Sequence, residues 1–170
     1  AMTRNTWILI ALLVVLIVAT FVVLQRPGEQ STSGTDGDVL VSYDSAAVDR
    51  IEIVLPDEQV TLSRESGPWS LLSPLRAPAN EQAVREAIGK GRSLVIRTIV
   101  SSNPAKQTLF QVDTTAPLVT LLGKGTRLAS FRVGKTGPTY TETYVRREGS
   151  NEVCLTGGHI GAVFARPSRD

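Results

Sequence analysis

The feature that most constrains this chain is a run of apolar residues near its start. Trp7 to Leu24 is 18 residues long, and Thr20 is its only polar member. As a helix the run spans about 27 Å at 1.5 Å per residue, close to the roughly 30 Å hydrocarbon core of a bilayer. A helix with no polar face has no side to present to water, so we predict a transmembrane helix at residues 7–24 rather than a buried core helix.

The residues that flank the run fit this prediction. Arg4 and Arg26 are close enough to reach the lipid headgroups, and Trp7 occupies the position of an interfacial aromatic residue, so we predict all three as membrane-interface residues. A cleaved signal peptide is the rival interpretation, but its apolar region is usually about 7–15 residues and ends at a small-x-small site. Residues 21–26 offer no such site. We therefore expect a retained anchor.

The orientation of the helix is predicted from its flanking charges. Arg4 and the terminal amine favour a cytoplasmic location for residues 1–6, although Arg26 on the other side opposes them. We expect a single-pass protein of the inner (cytoplasmic) membrane, with its N-terminus inside and its C-terminal domain periplasmic or extracellular. The span contains no ionisable residue, which argues against a proton or ion pathway.

The rest of the chain divides into a tether and a globular domain. Residues 25–38 read QRPGEQSTSGTDGD and lack any large apolar side chain, which predicts a flexible linker. Residues 39–166 are numerous enough to bury their own core, and residues 167–170 are predicted as a tail. A domain on this tether stays near the membrane surface.

The pattern of the domain is mostly strand-like. Residues 50–55 and 59–64 alternate between apolar and polar side chains around the turn signal Pro56-Asp57-Glu58, which predicts a hairpin. Further strands are predicted at residues 69–72, 94–100, 118–122, 127–133, 142–147 and 152–155.

Two helices complete the expected fold. Asn80 can cap a helix that runs through Ile88, and Gly89 and Gly91 weaken the end of that helix. A second, short helix is predicted near residues 159–165. The expected class is α+β, with mainly antiparallel strand pairing.

Several short motifs of the domain resemble those of a known family. They are Val48-Asp49-Arg50-Ile51-Glu52-Ile53, Gly67-Pro68-Trp69-Ser70-Leu71, Ala79-Asn80-Glu81-Gln82-Ala83-Val84, Gly134-Lys135-Thr136, Tyr144-Val145-Arg146 and Val153-Cys154-Leu155. With the apolar run before them, they resemble a domain of unknown function of bacterial single-pass envelope proteins, some encoded beside gliding-motility-type ABC transporters. Phe110-Gln111-Val112-Asp113 resembles the family's aromatic-Gly-Leu-Asp turn, with Gln111 in the place of glycine. The resemblance implies no catalytic residue.

The inventory of reactive side chains is small. One cysteine and one histidine exclude a disulfide framework and the common zinc and iron–sulfur ligand sets, so we assign no metal, cofactor or catalytic residue. Cys154 lies in an apolar strand pattern and is predicted as a buried, inert thiol. His159 is expected to pack against or cap the last helix. Any Ser–His or Cys–His mechanism would have to use it.

Charge is distributed unevenly along the domain. Residues 39–75 carry two basic and six acidic side chains, net −4, whereas residues 76–135 carry ten basic and three acidic, net +7. We predict a basic patch of Arg85, Lys90, Arg92 and Arg97 that contacts an acidic partner subunit or anionic headgroups. The alternative is that the two segments fold against each other or face water. The overall charge of +2 is too small to indicate a nucleic-acid partner.

Trp69 is the remaining candidate for a contact residue. It follows a Gly-Pro turn, where a core or lid position is one interpretation and an exposed anchor for a partner protein is the other.

These features together predict a function without chemistry. We expect a non-enzymatic accessory or scaffold subunit of a larger energy-transducing or transport complex, with integral membrane subunits and the lipid bilayer as partners. The alternative is a ligand-binding envelope module that works with an ABC transporter or a polysaccharide system. An enzyme would require His159 or clustered carboxylates to meet in a cleft.

Overall fold

The computed structural model describes residues 37–64, 67–158 and 160–164. Its strands are β1 Arg50–Val54, β2 Gln59–Ser63, β3 Ser70–Ser73, β4 Ala77–Pro78, β5 Ile96–Ser101, β6 Leu118–Gly123, β7 Thr126–Thr136, β8 Glu142–Arg147 and β9 Val153–Gly157. Its helices are α1 Glu81–Arg92 and α2 Gly161–Phe164, and short 3₁₀ helices occupy Ser45–Ala47, Pro104–Lys106 and Thr108–Phe110.

The nine strands found in the described residues form one antiparallel sheet, in the order β4-β3-β2-β1-β6-β7-β8-β9-β5. The central pair, β1 and β6, joins two meanders that run outward in opposite directions, and each meander is followed by a helix. A Gly-Pro dipeptide lies in the second connection of each meander, at residues 67–68 and 137–138. Strand β5 departs from this plan, because it follows α1 and pairs with β9 at the far edge.

The predicted hairpin is present with its apolar residues on one side. Ile51 pairs with Leu62 and Ile53 with Val60, and Ile51, Ile53 and Val60 are buried. The turn occupies residues 55–58, so it contains the predicted Pro56-Asp57-Glu58 and begins one residue earlier, at Leu55. Because side chains alternate between faces, this register directs the apolar residues to the side that carries the core, called here the core face.

Helix α1 packs on the core face. The side chain of Asn80 accepts hydrogen bonds from the backbone N–H groups of Gln82 and Ala83, so the predicted cap is present. Val84 and Ile88 are buried, one turn apart. The helix continues to Arg92 through both of the glycines that were expected to weaken its end.

Contacts with Tyr43 explain in part why α1 continues through Gly91. Its hydroxyl donates to the carbonyl oxygen of Ile88 at 2.6 Å, and a Cβ on Gly91 would lie 2.6 Å from that hydroxyl oxygen. A glycine at position 91 therefore leaves room for the Tyr43 side chain against the helix. Glycine weakens an isolated helix, but here the packing of Tyr43 requires it.

The expected α+β class agrees with the mainly antiparallel sheet and two short helices. The third strand begins one residue later than expected, at Ser70. The two-residue strand β4 was not predicted, because Pro78 and its short length leave no alternation to read.

The predicted transmembrane helix at residues 7–24 lies outside the described residues. Among the residues that are described, none of the helices is both long and apolar enough to cross a membrane.

Candidate interaction surface

The predicted site residues fall into two groups. Arg4, Trp7 and Arg26, predicted at the membrane interface, lie outside the described residues, and so does His159. The predicted partner-contact residues are all described: Trp69, Arg85, Lys90, Arg92 and Arg97. The structure gives these five residues different surroundings.

Trp69 lies in the core. It precedes β3 with only 5% of its surface exposed, and the guanidinium of Arg64 lies 5.6 Å from its ring centroid. Arg64 also donates to the carbonyl oxygen of Ala46. Arg64 therefore covers Trp69, which favours the lid or core interpretation over the exposed anchor.

A hollow of about 340 Å³ lies beside Trp69, and Arg85, the first of the predicted basic contact residues, is part of its wall. It is lined by Ser45, Ala46, Arg64, Trp69, Arg85, Ile88 and Gly89. Arg85 donates to Glu81 on the preceding turn at 3.1 Å, an exposed pair that contributes little to stability. Part of the positive charge at this hollow is therefore already compensated.

Lys90 lines a different groove. At about 100° per residue, Lys90 and Arg85 fall on opposite flanks of the buried stripe of α1. The groove has a volume of about 480 Å³ and is lined by Ile51, Ile53, Leu62, Ala83, Val84, Glu86, Ala87, Lys90, Ala162, Val163 and Phe164. Lys90 and Glu86 supply its charged groups.

Arg92 lies in the last turn of α1, close to Tyr43. Burial raises the pKa of Tyr43 to about 12, and the nearby positive charge of Arg92 opposes part of this shift. A tyrosine with this pKa is neutral at physiological pH and keeps its proton for the bond to Ile88. Arg92 thus faces a structural group as well as solvent.

Arg97 lies on β5, which is an edge strand of the sheet. A Cβ on Gly157 would lie 3.2 Å from its Nε, so the guanidinium rests directly on the backbone of β9. Its neighbours along the chain include Val95, which forms a β-bridge with Val39. The structure therefore gives each of the four predicted basic residues its own immediate surroundings.

Cys154 is buried, as predicted. It is 1% exposed on β9, and burial raises the pKa of its thiol to about 11. The thiolate is therefore scarce at neutral pH. Within residues 37–64, 67–158 and 160–164, no three His, Cys, Asp or Glu side chains are grouped so that they would hold a metal ion.

Two arginines that were not predicted as site residues, Arg132 and Arg146, form hydrogen bonds on the side of the sheet opposite the core face. The 7%-exposed Arg146 of β8 donates from Nε to the carbonyl oxygen of Val112 and from Nη1 to that of Ser150, both at 2.8 Å. Arg132 of β7 donates to Glu148 at 3.1 Å. Arg132 also donates from Nη1 to the carbonyl oxygens of Thr114 and Ala116, at 3.1 and 3.0 Å. The bonds to Val112, Thr114 and Ala116 hold the end of residues 102–117 against β7 and β8. The available signal was the alternation of β8, which places Arg146 opposite the core face.

The same segment contains the turn at Gln111. Its backbone is left-handed, with φ 55° and ψ 43°, which is the conformation that glycine adopts without strain. Gly134 of β7 lies directly beneath, where a Cβ would collide with the Phe110 carbonyl and Val112. The turn therefore keeps a glycine-like geometry although glutamine occupies the position.

The fold and these surfaces define a mainly antiparallel β domain with surface hollows and a buried thiol. Comparison with known families matches residues 69–169 to DUF4340, a domain of unknown function. The match covers more than half of the chain, so the protein belongs to this family. No curated protein and no solved structure matches the chain.

Proposed function

We propose that this protein is a non-enzymatic, membrane-anchored accessory or scaffold subunit of a larger energy-transducing or transport complex. Its transmembrane helix contacts multispan subunits, and its soluble domain covers their extracytoplasmic face. The observation that carries the proposal is the uncharged run at residues 7–24, followed by a tether and by a domain with its own core. An anchor of this kind confines the domain to partners at the membrane surface.

A resemblance carried by the sequence motifs supports the membrane setting of this proposal. Beyond its assignment to DUF4340, the chain resembles bacterial single-pass envelope proteins, some of them encoded beside gliding-motility-type ABC transporters. We extend this setting to the present chain, with inner-membrane subunits as partners. Exposed cations on both flanks of α1 and on β5 offer several points for contact with acidic groups.

Native mass measurement after gentle detergent extraction tests the proposal. We expect the chain to leave the membrane in an assembly with other subunits, well above its own 18.3 kDa. Leu13→Arg, Val15→Arg and Ile17→Arg combined are the matched control, because three arginines near the centre of the span cost about 7.5–10.5 kcal/mol of insertion free energy, more than the remaining apolar residues return at about 0.3–0.6 kcal/mol each. This variant should leave the membrane fraction and the assembly together. Recovery of the unaltered chain alone at 18.3 kDa would contradict the scaffold role.

The groove beside α1 favours a second candidate, a ligand-binding envelope module. Its volume of about 480 Å³ lies within the range of about 300–1,000 Å³ typical of small-molecule sites. Ala87→Phe would fill the groove from its half-buried wall. If the groove binds a ligand, this variant should lose the stabilisation that lipid or oligosaccharide extracts give to the unaltered chain, yet remain in the assembly.

An enzymatic alternative depends on the single histidine. We expect His159→Ala to preserve the function of the protein in cells, measured by complementation of a deletion strain. Loss of function with normal protein level and normal assembly would contradict the non-enzymatic proposal.

A further inference from the structure

An exposed apolar pair lies where the tether enters the sheet. Val39 and Val95 form a β-bridge and are 47% and 36% exposed, although the neighbouring Leu40, Leu94 and Ile96 are buried. Alternation along a strand directs these buried neighbours to the core face and the two valines to the opposite side. The valines therefore form a small apolar surface at the β5 edge.

Two further residue types adjoin this surface. Arg97 lies on the same side of β5 as Val95 and rests on Gly157. The turn that carries Tyr140 is joined to the same end of β9, since the Gly158 N–H donates to the Thr141 carbonyl at 2.8 Å. Tyr140 is 81% exposed.

The acidic groups nearby are Asp38 and Glu142. The backbone of Asp38 accepts from the Ile96 N–H at 2.7 Å, and the carboxylate of Glu142 accepts from the Thr139 hydroxyl at 2.7 Å. With Arg97 they leave no excess of positive charge, so electrostatic attraction to anionic lipid is not what distinguishes the surface. Its aliphatic, aromatic and arginine side chains are instead those that occupy the headgroup boundary of membranes.

We propose that Val39, Val95, Arg97 and Tyr140 form a membrane-resting patch that lies in the headgroup region of the bilayer. The inference rests on the proposed membrane anchor. Gly37 donates to the Ile96 carbonyl at 2.8 Å, so the tether reaches the sheet beside the patch. Only residues 25–36 separate the predicted span from Gly37, and a coil of this length has a typical reach of about 20 Å. The tether thus joins the domain at the edge that carries the patch, which is the edge that the proposal turns toward the bilayer.

Cysteine labelling of the full chain in phospholipid vesicles tests the patch. Val95→Cys carries an environment-sensitive dye in the patch, and Leu72→Cys carries the same dye on β3, where the side chain is 41% exposed. The native Cys154 is buried and should remain unlabelled, which the unaltered chain checks. Lipids brominated near the headgroup should quench the dye at position 95 several-fold more than the dye at position 72, in both zwitterionic and anionic vesicles.

Tyr140→Asn provides the second variant. Asparagine tolerates the left-handed backbone of this position, φ 59°, so the fold is kept while the aromatic ring is lost. Quenching at position 95 should fall, and the thermal midpoint should not.

Flotation of the vesicles separates the two proposals. A chain that floats with the vesicles but shows equal quenching at positions 95 and 72 keeps its anchor and overturns the patch. Shielding of position 95 from aqueous iodide without lipid quenching assigns the surface to a second copy of the chain and also overturns it. A chain that does not float contradicts the anchor and, with it, the patch.

Discussion

Gln111 has a backbone conformation that is unfavourable for any residue with a Cβ. Its φ of 55° is left-handed, a conformation that costs a residue with a Cβ about 1–2 kcal/mol and costs glycine almost nothing. Gln111→Gly should therefore raise the free energy of unfolding by about 1 kcal/mol, after the greater freedom of glycine in the unfolded chain is subtracted. Denaturant titration measures the change.

Gln111→Ala is the control for this substitution. It removes the same side chain and keeps the Cβ, so it should bring no gain. Equal stabilisation by both variants would assign the effect to the lost side chain and contradict the backbone explanation.

The raised pKa of Tyr43 makes the free energy of unfolding of the domain change with pH in the alkaline range. Its pKa is about 12 in the folded protein, because burial disfavours the phenolate, and near 10 in the unfolded chain. Below about pH 10 both states keep the proton and the contribution is fully present. Between about pH 10 and 12 the unfolded state releases it first, so the free energy of unfolding falls as the pH rises.

Tyr43→Phe tests this dependence. At neutral pH it should cost about 1 kcal/mol, the net value of a typical hydrogen bond, because the bond to Ile88 is lost. Above about pH 10 its free energy of unfolding should fall less steeply than that of the unaltered chain. Cys154 titrates equally in both proteins, so their difference isolates the phenol. Parallel curves would show that Tyr43 does not titrate as described.

At the scale of the element, α1 contains two glycines that respond oppositely to alanine. A Cβ on Gly89 would meet no heavy atom within 4 Å, so Gly89→Ala should stabilise the domain by about 0.8–1 kcal/mol through helix propensity alone. Gly91→Ala should destabilise it by about 1–3 kcal/mol, because its methyl group displaces the Tyr43 hydroxyl.

Thermal and denaturant unfolding of the two alanine variants checks this pair. Gly91→Ala combined with Tyr43→Phe supplies the control, since the phenylalanine removes the hydroxyl that the methyl group meets. The double variant should lose less than the sum of the single losses. A loss equal to that sum would place the cost of Gly91→Ala elsewhere.

The elements were predictable where a local pattern specifies them. Alternation around residues 55–58 gave the hairpin, and the Asn80 cap gave the start of α1, because both signals act over a few residues. The pairing of β1 with β6 and of β5 with β9 was not predictable, because each joins strands that are far apart in sequence. Unequal strand lengths, five residues in β2 against eleven in β7, also obscure the similar order of the two meanders.

The surface was predictable only in part. The Gly-Pro turn left both a core or lid position and an exposed anchor open for Trp69, and the structure places its ring beneath Arg64. Lys90 lines the groove beside α1, whereas Arg97 lies on the edge strand β5 beside Gly157. The local sequence could not show these separate surroundings, because they depend on how α1 and β5 pack in the fold.

At the scale of the whole molecule, the proposed role requires the domain and the N-terminus on opposite sides of the membrane. Single cysteines introduced at Thr3 and at the exposed Ser102 test this, because the buried Cys154 with its raised pKa gives little background reaction. In right-side-out membrane vesicles, an impermeant maleimide should label Ser102→Cys at once and Thr3→Cys only after detergent is added. The reverse pattern would place the domain in the cytoplasm, and immediate labelling of both would mean that the run at residues 7–24 does not separate two compartments.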